Sequence, residues 1–362
     1  MRSWSRSIRR TTGEMQFKTT YFLNFRNLIN QRCTWSEGFN LITGPNGAGK
    51  TNFLEGVNLI SGWGPLERGT KIADLSRWNQ ADRTSLWARV SGEESADIFA
   101  SIAGRSALKF ADKSVGAGSM RSRMPVLSFF SDSVSLIKGG ASVRRQLIDR
   151  IGALVNPAYA KRLSDYRKLV KQKSVLLRRR SDTSVVDRLA VGSGDWLWSV
   201  RDEIVEQLRR ELAGCSRLLP KPVDLVLSRG GTADGSGDYR TALELMRPRE
   251  RASATPLVGP QRDDMMVLSG GRQAGVFLSR GQCRRTASAL VLASASVVMK
   301  NTGRKPVLVF DELTSELDAA GRDILLGTLT DSDYQIFAAS ADLFERDKIT
   351  VHRMADGRFI DS

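Results

Sequence analysis

The hydrophobic positions of this chain follow the spacing of strands in some segments and the spacing of helices in others. Apolar residues are frequent from Phe17 to Asn24 and from Phe39 to Thr43, and weaker alternation from Ser85 to Phe110 predicts further strands. From Asn52 to Ile60 the apolar positions recur at helical spacing, which predicts a helix. The N-terminal part is therefore expected to contain strand, loop and helix in that order.

A different pattern covers the middle of the chain. Between Ser142 and Leu219 the apolar residues recur at helical spacing, and the glycine-containing segment 191–194 is expected to separate two helices. No heptad pattern persists for more than a few turns, which favours a compact helical lobe over a long coiled coil. Segment 116–122 is expected to be a loop, and strand character returns from Ala254 onwards.

A glycine-rich loop lies between the second predicted strand and the first predicted helix. Residues 44–51 fit the pattern G-x-x-x-x-G-K-[ST] at every required position. In this pattern backbone N–H groups surround the phosphates, the lysine reaches the β and γ phosphates, and the final hydroxyl is offered to Mg²⁺. We therefore expect an ATP site in which Lys50 is also catalytic. The predicted ATP-binding residues are Gly44, Pro45, Asn46, Gly47, Ala48, Gly49, Lys50, Thr51 and Asn52.

A hydrophobic strand at residues 306–310 ends in two acidic residues. Such a strand is typical of the interior of a parallel sheet. We expect Asp311 to hold Mg²⁺ together with Thr51, and Glu312 to be the catalytic carboxylate that polarises the attacking water. If Asp311 and Glu312 stood alone after a strand, the alternative interpretation would be that one of them only caps the following helix. The glycine-rich loop at Gly44 argues against that interpretation.

Residues 278–282, with the sequence Leu-Ser-Arg-Gly-Gln, are similar to the LSGGQ signature of ABC-type ATPases. An apolar helix follows, so the serine and the neighbouring amides lie at a helix N-terminus, which favours an anion. In ABC-type heads the signature contacts the γ phosphate of a nucleotide held by a second head, so the similarity implies a homodimer that forms on ATP. The predicted signature residues are Ser279, Arg280, Gly281 and Gln282.

The residues that follow Glu312 occupy the place of the D-loop, which crosses the dimer interface in ABC-type ATPases. Ser315 and Asp318 are the D-loop residues that we expect at this interface. The strand predicted at 335–340 lies where many of these ATPases have a switch histidine. No histidine is present there, so Ser340 or the backbone is the candidate for that role.

The charge of the chain favours a polyanionic partner. Lys and Arg number 55 against 39 Asp and Glu, which gives a formal net charge of +16, and nucleic acid is the commonest large polyanion of the cell. The excess is concentrated, because 17 basic and nine acidic residues lie between Leu136 and Cys215. A solvated helical surface is the alternative explanation. The candidate DNA-binding residues are Lys161, Arg162, Lys168, Lys171, Arg178, Arg179 and Arg180.

Other residue types exclude several classes of protein. The three cysteines, Cys33, Cys215 and Cys283, are far apart and fit neither a disulfide framework nor a zinc site. His352 is the only histidine, which argues against zinc hydrolases and Ser-His-Asp catalysis. No apolar run approaches the roughly 20 residues that span a bilayer. We therefore expect a cytoplasmic protein that has no membrane partner.

The order of these motifs resembles the RecF family of bacterial recombination ATPases. The resemblance runs from Met15 over nearly the whole chain and includes Leu23-Asn24-Phe25-Arg26-Asn27, the segment 258–264 and Ser279-Arg280-Gly281-Gln282. It implies an α/β fold, namely an ABC-type P-loop ATPase head with an inserted mainly helical second lobe. It also implies weak ATP hydrolysis coupled to double-stranded and gapped DNA, and action with RecO and RecR in helping RecA to load.

We accordingly divide the chain into four parts. Residues 1–14 form a basic extension that is expected to be disordered, and residues 15–115 form the N-terminal part of the ATPase lobe. The inserted lobe covers 116–250, and the C-terminal part of the ATPase lobe covers 251–362.

Three other functions are alternatives to this interpretation. Segments 62–66 and 129–134 depart from the family pattern, so a divergent RecF-like paralogue with a non-DNA partner is one of them. The ATP-binding subunit of a membrane transporter is another alternative, because it shares the nucleotide motifs. The strong positive charge argues against it, since such a subunit does not need that charge. A chromosome-organising head or a nuclease-linked ATPase is a third alternative, but the sequence predicts neither a long coiled coil nor a cluster of metal-ligating carboxylates beyond Asp311 and Glu312.

Overall fold

A computed structural model of the chain describes residues 14–66, 70, 72–77, 84–92, 95–102, 107–130, 134–232, 235, 237–344 and 346–360. The chain forms two compact units. The first comprises Met1–Phe130, Val298–Ser315 and Ser332–Ser362, and the second comprises Ser131–Val297 and Glu316–Asp331. The predicted basic extension lies outside the described residues except for Glu14, and so does part of segment 129–134.

The limits of the two units differ from the predicted limits of 116 and 250. The strand Val126–Phe129 pairs with Val307–Phe310, which explains why residues up to 130 belong to the first unit. The strand Asp264–Ser269 pairs with Asp224–Ser228, so the first strand after Ala254 belongs to the second unit. The division of functions between lobes stays a prediction.

The described part of the chain contains the following strands and helices, numbered in chain order. The strands are β1 (Gln16–Leu23), β2 (Arg32–Thr34), β3 (Phe39–Thr43), β4 (Ser85–Ser91), β5 (Ala96–Ser101), β6 (Ala107–Phe110), β7 (Lys113–Val115), β8 (Val126–Phe129), β9 (Asp224–Ser228), β10 (Asp264–Ser269), β11 (Arg272–Gln273), β12 (Val307–Phe310), β13 (Ile336–Ser340), β14 (Ile349–Ala355) and β15 (Arg358–Phe359). The helices are α1 (Lys50–Ile60), α2 (Ala117–Arg123), α3 (Val134–Lys138), α4 (Ala141–Val155), α5 (Tyr159–Arg178), α6 (Ser184–Leu212), α7 (Tyr239–Ser253), α8 (Ala274–Phe277), α9 (Arg280–Thr302) and α10 (Ala319–Thr330).

A six-stranded sheet of the first unit determines where the site residues meet. Its strand order is β15-β14-β3-β13-β12-β8, and β3, β13, β12 and β8 are mutually parallel. Every residue of β3, β12 and β13 is buried, as expected for strands that are covered on both faces. Since β13 lies between β3 and β12, the glycine-rich loop after β3 and the acids after β12 emerge at the same edge.

A second sheet of the first unit is antiparallel, with the order β2-β1-β4-β5-β6-β7. It contains the strands that weak alternation predicted from Ser85 to Phe110. The core of this unit is rich in aromatic rings, and Trp35 lies 4.7 Å from Phe53 between ring centroids. The indole Nε1 of Trp35 donates to the hydroxyl of Thr20 at 2.9 Å, so its one polar atom is satisfied in the core.

The second unit is mainly helical, as predicted. Its core contains Tyr159, Leu197, Trp198 and Tyr239, all of which are buried. One fully buried carboxylate, that of Asp263, lies close to this core. Its Oδ1 accepts hydrogen bonds from the indole of Trp198 and from the backbone of Gly230, each at 2.8 Å. Its Oδ2 lies 2.7 Å from Nη1 of Arg201.

Two predictions of local structure are wrong. Segment 191–194 does not separate two helices, because α6 runs through it. At Gly194 a Cβ atom would lie 2.4 Å from the ring of Tyr239, so this glycine is needed for close packing and not for a break. Segment 116–122 is not a loop, because most of it forms α2, whose Met120 is buried.

The described helices include none with the length and hydropathy that crossing a bilayer requires.

Candidate functional site

A cavity of about 540 Å³ lies at the edge of the parallel sheet, where β3, β12 and β13 end. It brings together the glycine-rich loop and the two acids that were singled out in the sequence. Among the predicted ATP-binding residues, Gly44, Pro45 and Ala48 do not line it. The lining residues are Asn46, Gly47, Gly49, Lys50, Thr51, Asn52, Asp311, Glu312, Thr314, Ser315, Ala339, Ser340, Ala341 and Asp342.

The glycine-rich loop has a backbone that only glycine adopts easily. Gly44 has a φ of 154° and Gly49 a φ of 105°. A Cβ atom at Gly44 would lie 2.0 Å from the carbonyl oxygen of Met354, and one at Gly49 would lie 2.9 Å from Oδ1 of Asn27. Both positions therefore require glycine for conformation and for space.

Lys50 folds back over the loop that precedes it. Its Nζ donates to the carbonyl oxygens of Gly44 at 2.7 Å and of Pro45 at 3.0 Å. Gly44 and Pro45 thus contribute to the site through this contact although they do not line the cavity. Burial lowers the pKa of Lys50, and the charges of Asp311 and Glu312 oppose that change. An anion in the cavity would likewise favour the charged ammonium.

Thr51 and Asp311 are in direct contact. The hydroxyl of Thr51 donates to Oδ2 of Asp311 at 2.8 Å, and Oδ1 of Asp311 accepts from the backbone of Glu312 at 3.1 Å. Burial raises the pKa of the Asp311 carboxyl, which indicates a site that needs compensating positive charge. A hydroxyl and one carboxylate are the oxygen ligands that Mg²⁺ takes beside phosphate and water, so this pair fits the ion.

Glu312 lies in a conformation that is uncommon for its residue type. Its φ is 49°, in the left-handed region that costs a residue other than glycine on the order of 1 kcal/mol. The following residue is fixed to the sheet, because Leu313 donates its backbone N–H to Ala339 at 3.0 Å. The sheet therefore holds Glu312 in this conformation at the cavity wall.

Asn27 supports the loop and was missed as a site residue. Its Nδ2 donates to the carbonyl of Gly47 at 3.1 Å, and its Oδ1 accepts from Nδ2 of Asn52 at 2.8 Å. Asn52, a predicted ATP-binding residue, thereby fixes the loop through Asn27. The segment 23–27 carries part of the family resemblance, but no pattern in it indicates this contact.

Further polar residues of the wall lie at the end of β13 and after Glu312. The hydroxyls of Thr314 and Ser340 are 3.0 Å apart, and Ser315, a predicted D-loop residue, lies beside them in the lining. Asp342 was not expected in the cavity. His352, in β14, is hydrogen bonded to Asn40 and is not among the lining residues.

The signature segment belongs to the second unit. Ser279 and Gln282 form a reciprocal cap at the start of α9, because the Ser279 hydroxyl accepts from the backbone of Gln282 at 3.2 Å and Oε1 of Gln282 accepts from the backbone of Ser279 at 3.0 Å. Ser279 and Arg280 are exposed, so the helix N-terminus is accessible to an anion.

The segment predicted as the D-loop contacts the signature helix within the second unit. Nη2 of Arg280 lies 2.6 Å from Oε1 of Glu316, and Arg280 holds the pKa of that carboxyl below its usual value. Asp318, one of the predicted D-loop contacts, caps α10, because its Oδ1 accepts from the backbone of Gly321 at 2.8 Å. Glu316 is thus a signature contact that the motifs had not indicated.

The candidate DNA-binding residues lie on α5 and directly after it, and all seven are exposed. Two of them share one acidic neighbour, since Lys161 lies 2.9 Å and Lys168 lies 3.0 Å from Asp165. Arg162 is placed 4.3 Å from the ring centroid of the half-buried Trp196. The surface is therefore basic and accessible, with part of its charge offset locally.

Comparison with known proteins agrees with this arrangement. Residues 17–345 match the family described as "RecF/RecN/SMC N terminal domain". The "DNA replication and repair protein RecF" of Magnetococcus marinus is 31% identical to the chain over 366 residues, which span 90% of this chain and 91% of that protein.

Solved structures show the same fold. One, described as "the recombination mediator protein RecF-ATPrS in RecFOR pathway", has a TM-score of 0.82 at 23% identity and covers 96% of this chain and 98% of that chain. Another, of "RecF-ATP" in the same pathway, has a TM-score of 0.80 at 24% identity and covers 96% and 97%. The predicted fold class, an α/β ABC-type head with a second, helical lobe, is confirmed.

Proposed function

Since the chain belongs to the RecF family of DNA replication and repair proteins, we propose that it is an ATP-dependent DNA-binding protein of recombinational repair and replication-fork maintenance. The observation that carries the proposal is that Lys50, Thr51, Asp311 and Glu312 line one and the same cavity. The solved relative described as RecF-ATP supports ATP as the ligand. In this proposal the chain is a slow ATPase.

ATP binding would use the loop after β3. Its backbone N–H groups surround the phosphates, and Lys50 exchanges the carbonyl oxygens of Gly44 and Pro45 for the β and γ phosphates. Thr51 and Asp311 would hold Mg²⁺, which would supply positive charge against the phosphates. The contact between these two residues supports the assignment, because they already lie within hydrogen-bond distance.

Hydrolysis would depend on Glu312. A carboxylate at the cavity wall is suited to orient and polarise the water that attacks the γ phosphate. The neighbouring backbone is bonded to the sheet at Leu313, which limits the space that the Glu312 side chain can search.

Dimerisation on ATP would follow from the signature residues Ser279, Arg280, Gly281 and Gln282. In this proposal the capped start of α9 of one copy contacts the γ phosphate held by a second copy, and Ser315 and Asp318 of the D-loop lie at that interface. The exposure of Ser279 and Arg280 supports this, because an anion can approach the helix N-terminus.

DNA binding would use the seven exposed basic residues of α5 and its C-terminal end. Lys and Arg contacts to phosphates are independent of base sequence and weaken as salt rises, which suits duplex and gapped DNA alike. We further propose that the protein acts in the cytoplasm with RecR and RecO and indirectly assists RecA. The description of the solved relatives as members of the RecFOR pathway supports these partners.

The test is ATP turnover measured with and without gapped duplex DNA over a salt series. We expect DNA to stimulate turnover at about 50 mM salt and the stimulation to fade by about 200 mM, because phosphate contacts are exchanged for counterions. If the rate of ATP turnover were the same with and without DNA at every salt concentration, the result would support the divergent paralogue with a non-DNA partner.

A pair of charge variants localises the effect. Replacing Lys161, Lys168 and Lys171 by Ala should abolish the stimulation and leave DNA-free turnover intact. Replacing Arg209 and Arg210 of α6 by Ala is the matched control, because both are exposed basic residues of the same unit. If the two variants lost the stimulation by DNA equally, the assignment of the DNA-binding surface to α5 would be wrong.

A further inference from the structure

A row of side chains crosses the outer face of the antiparallel sheet in the first unit. Tyr21 of β1 lies opposite Trp87 of β4, and Trp87 lies opposite Phe99 of β5. Arg32 of β2 lies opposite Tyr21 at one end of the row, and Lys109 of β6 lies opposite Phe99 at the other. The row therefore consists of three aromatic residues on three neighbouring strands, with a cation at each end.

This row lies on the side of the sheet that faces away from the core. Side chains alternate between the two faces along a strand, and the strand neighbours Phe22, Leu86 and Ile98 are buried in the hydrophobic core. The three aromatic residues of the row are half-buried, and the two cations are exposed. Each aromatic residue thus keeps part of its surface in contact with solvent, so a ligand can reach it.

The charges of this face favour an anionic partner. Among the described residues that pair across these strands on the outer face, the cations are Arg32, Arg89 and Lys109, and the acid is Asp97. The carboxylate of Asp97 accepts hydrogen bonds from the guanidinium of Arg89 at 2.8 and 2.9 Å, so Arg89 offsets its charge. Arg32 and Lys109 therefore leave an excess of positive charge at the two ends of the aromatic row.

Arg32 also extends the surface on which a planar group can stack. Its guanidinium carbon lies 5.2 Å from the ring centroid of Trp87, so the side chain reaches across β1 and lies over the indole. Aromatic rings and guanidinium planes are both surfaces on which nucleic-acid bases stack, and Lys and Arg side chains pair with phosphates. The row thus offers the two kinds of contact that an unpaired nucleic-acid strand makes.

We propose that this face of the sheet binds single-stranded DNA, whose bases stack on Tyr21, Trp87 and Phe99 while its phosphates contact Arg32 and Lys109. Aromatic residues on the open face of a sheet are a general means of holding two or three unpaired bases. The bases of a duplex are stacked on one another and do not reach such rings, so the ligand is a single strand.

The site is distinct from the surface proposed for duplex DNA, because the row belongs to the first unit and α5 belongs to the second. Only the choice of DNA over RNA rests on the proposed function, since a gap in a duplex exposes a single strand of DNA. The alternative role of the row is structural, because aromatic pairs across strands also stabilise a sheet.

The experiment measures the affinity of the full chain for labelled oligo(dT) of about 15 nucleotides, beside a duplex of the same length, by fluorescence anisotropy with Mg²⁺ and a non-hydrolysable ATP analogue. Phe99→Leu keeps an apolar side chain but removes the ring on which a base stacks. We expect it to lower oligo(dT) affinity about tenfold and to leave duplex affinity unchanged. Phe99→Tyr keeps a ring and should retain oligo(dT) affinity.

Phe110→Leu is the matched control. Phe110 follows Lys109 in β6, but its half-buried side chain packs against the core on the other face of the same sheet. The substitution makes the same chemical change, so it reports a general loss of packing, and it should leave oligo(dT) affinity unaltered. If it lowered that affinity as much as Phe99→Leu does, the proposal would be overturned.

A salt series tests the two cations. Replacing Arg32 and Lys109 together by Gln should reduce the slope of log affinity for oligo(dT) against log salt by about 1.4, since each phosphate contact of a single strand contributes about 0.7. Replacing Arg209 and Arg210 together by Gln removes the same charge from the second unit and should leave the slope unaltered. An equal change of slope in the two double variants would mean that only net charge matters, and it would overturn the assignment of the phosphates to the row.

Three further results would overturn the inference. Equal losses of oligo(dT) affinity in Phe99→Leu and Phe99→Tyr would mean that the ring only packs within the sheet. Tighter binding of oligo(U) than of oligo(dT) would assign the face to RNA, and an oligo(dT) affinity that none of the variants alters would leave the face to a protein partner. The stimulation of ATP turnover by DNA through α5 is measured separately, so the proposed function would stand in each case.

The converse result is also distinguishable. If ATP turnover did not respond to DNA at any salt concentration while Phe99→Leu still lowered oligo(dT) affinity and Phe110→Leu did not, the proposed function would be overturned and the single-strand site on the sheet would remain.

Discussion

The hydroxyl of Thr51 donates to Oδ2 of Asp311 over 2.8 Å, although 260 positions of sequence separate the two residues. The contact exists because β13 lies between β3 and β12 in a parallel sheet, so the segments that follow the two outer strands emerge at one edge. This hydroxyl and this carboxylate are the two oxygen ligands that we propose for one Mg²⁺ ion. The pairing therefore connects the glycine-rich loop to the acid that follows β12.

Replacing Thr51 by Val should weaken the Mg²⁺-dependent binding of ATP. The substitution removes one proposed metal ligand and leaves the partly buried Asp311 carboxylate without the donor at Oδ2. We expect a loss of about tenfold or more in affinity at saturating Mg²⁺, measured by equilibrium binding with and without the metal. Thr51→Ser keeps the hydroxyl and should retain most of the affinity. If the ATP affinity of Thr51→Val depended on Mg²⁺ as that of the unmodified chain does, Thr51 would not be a ligand of the ion.

Replacing Asp263 by Ala should strongly destabilise the second unit. Its carboxylate is fully buried and lies 2.7 Å from Arg201, whose side chain is 1% exposed. Removing one member of such a pair leaves a buried charge with less compensation and typically costs about 3–5 kcal/mol in the free energy of unfolding. Denaturant unfolding measures the change. Arg201 retains Asp149 as a partner at 2.8 Å, so the lower end of that range is expected.

Asp165→Ala is the control for Asp263. Asp165 also pairs with cations, Lys161 and Lys168, but all three side chains are on the surface of α5. Exposed pairs contribute little because water and salt screen them, so the midpoint of unfolding should not move measurably. If Asp165→Ala lowered the free energy of unfolding as much as Asp263→Ala does, burial would not explain the contribution of Asp263 to stability.

The sequence was sufficient to predict the parts of the site that depend on short-range order. The glycine-rich loop is a contiguous pattern, and the strand before Asp311 is a continuous apolar run of the kind that the interior of a parallel sheet contains. Once both are placed in one parallel sheet, the meeting of Lys50, Thr51 and Asp311 follows from strand polarity. These positions were therefore predictable without an alignment.

The remaining contacts depend on tertiary packing, which no local pattern contains. Gly192 and Gly194 suggested a break, but α6 continues because Gly194 provides space for the ring of Tyr239. Asn27 supports the glycine-rich loop from the segment before β2, and Thr314 meets Ser340 only because β12 and β13 are neighbours. Each of these is a contact between segments that are distant in sequence.

Replacing Glu312 by Gln should trap a dimer in the presence of ATP. The amide keeps the size of the side chain but is a poor base, so hydrolysis slows while binding persists. We expect turnover to fall by about 100-fold or more and sedimentation to show a dimer with saturating ATP. Lys50→Arg is the comparison, because it should weaken ATP-dependent dimerisation. A monomeric Glu312→Gln protein at saturating ATP would contradict the composite site.

Replacing Ser279 by Arg should prevent dimerisation without abolishing the binding of ATP to one subunit. The substitution removes the reciprocal cap with Gln282 and adds bulk at the exposed start of α9, where the second nucleotide is proposed to bind. Equilibrium binding and sedimentation on the same sample separate the two effects. Ser279→Thr keeps the capping hydroxyl and should still dimerise. Loss of ATP binding by the monomeric Ser279→Arg variant would assign this serine to another role.

The native cysteines should react slowly with thiol reagents at pH 8. Burial raises the pKa of Cys33 to about 12 and that of Cys215 to about 11 from the usual 9.0. The thiolate is the reactive form, and at pH 8 a thiol with a pKa of about 12 is ionised in about one molecule in ten thousand. Cys215, which is half-buried, should be labelled before Cys33, and the denatured chain should show three fast thiols. Rapid labelling of Cys33 in the native chain would mean that the aromatic core of the first unit opens readily.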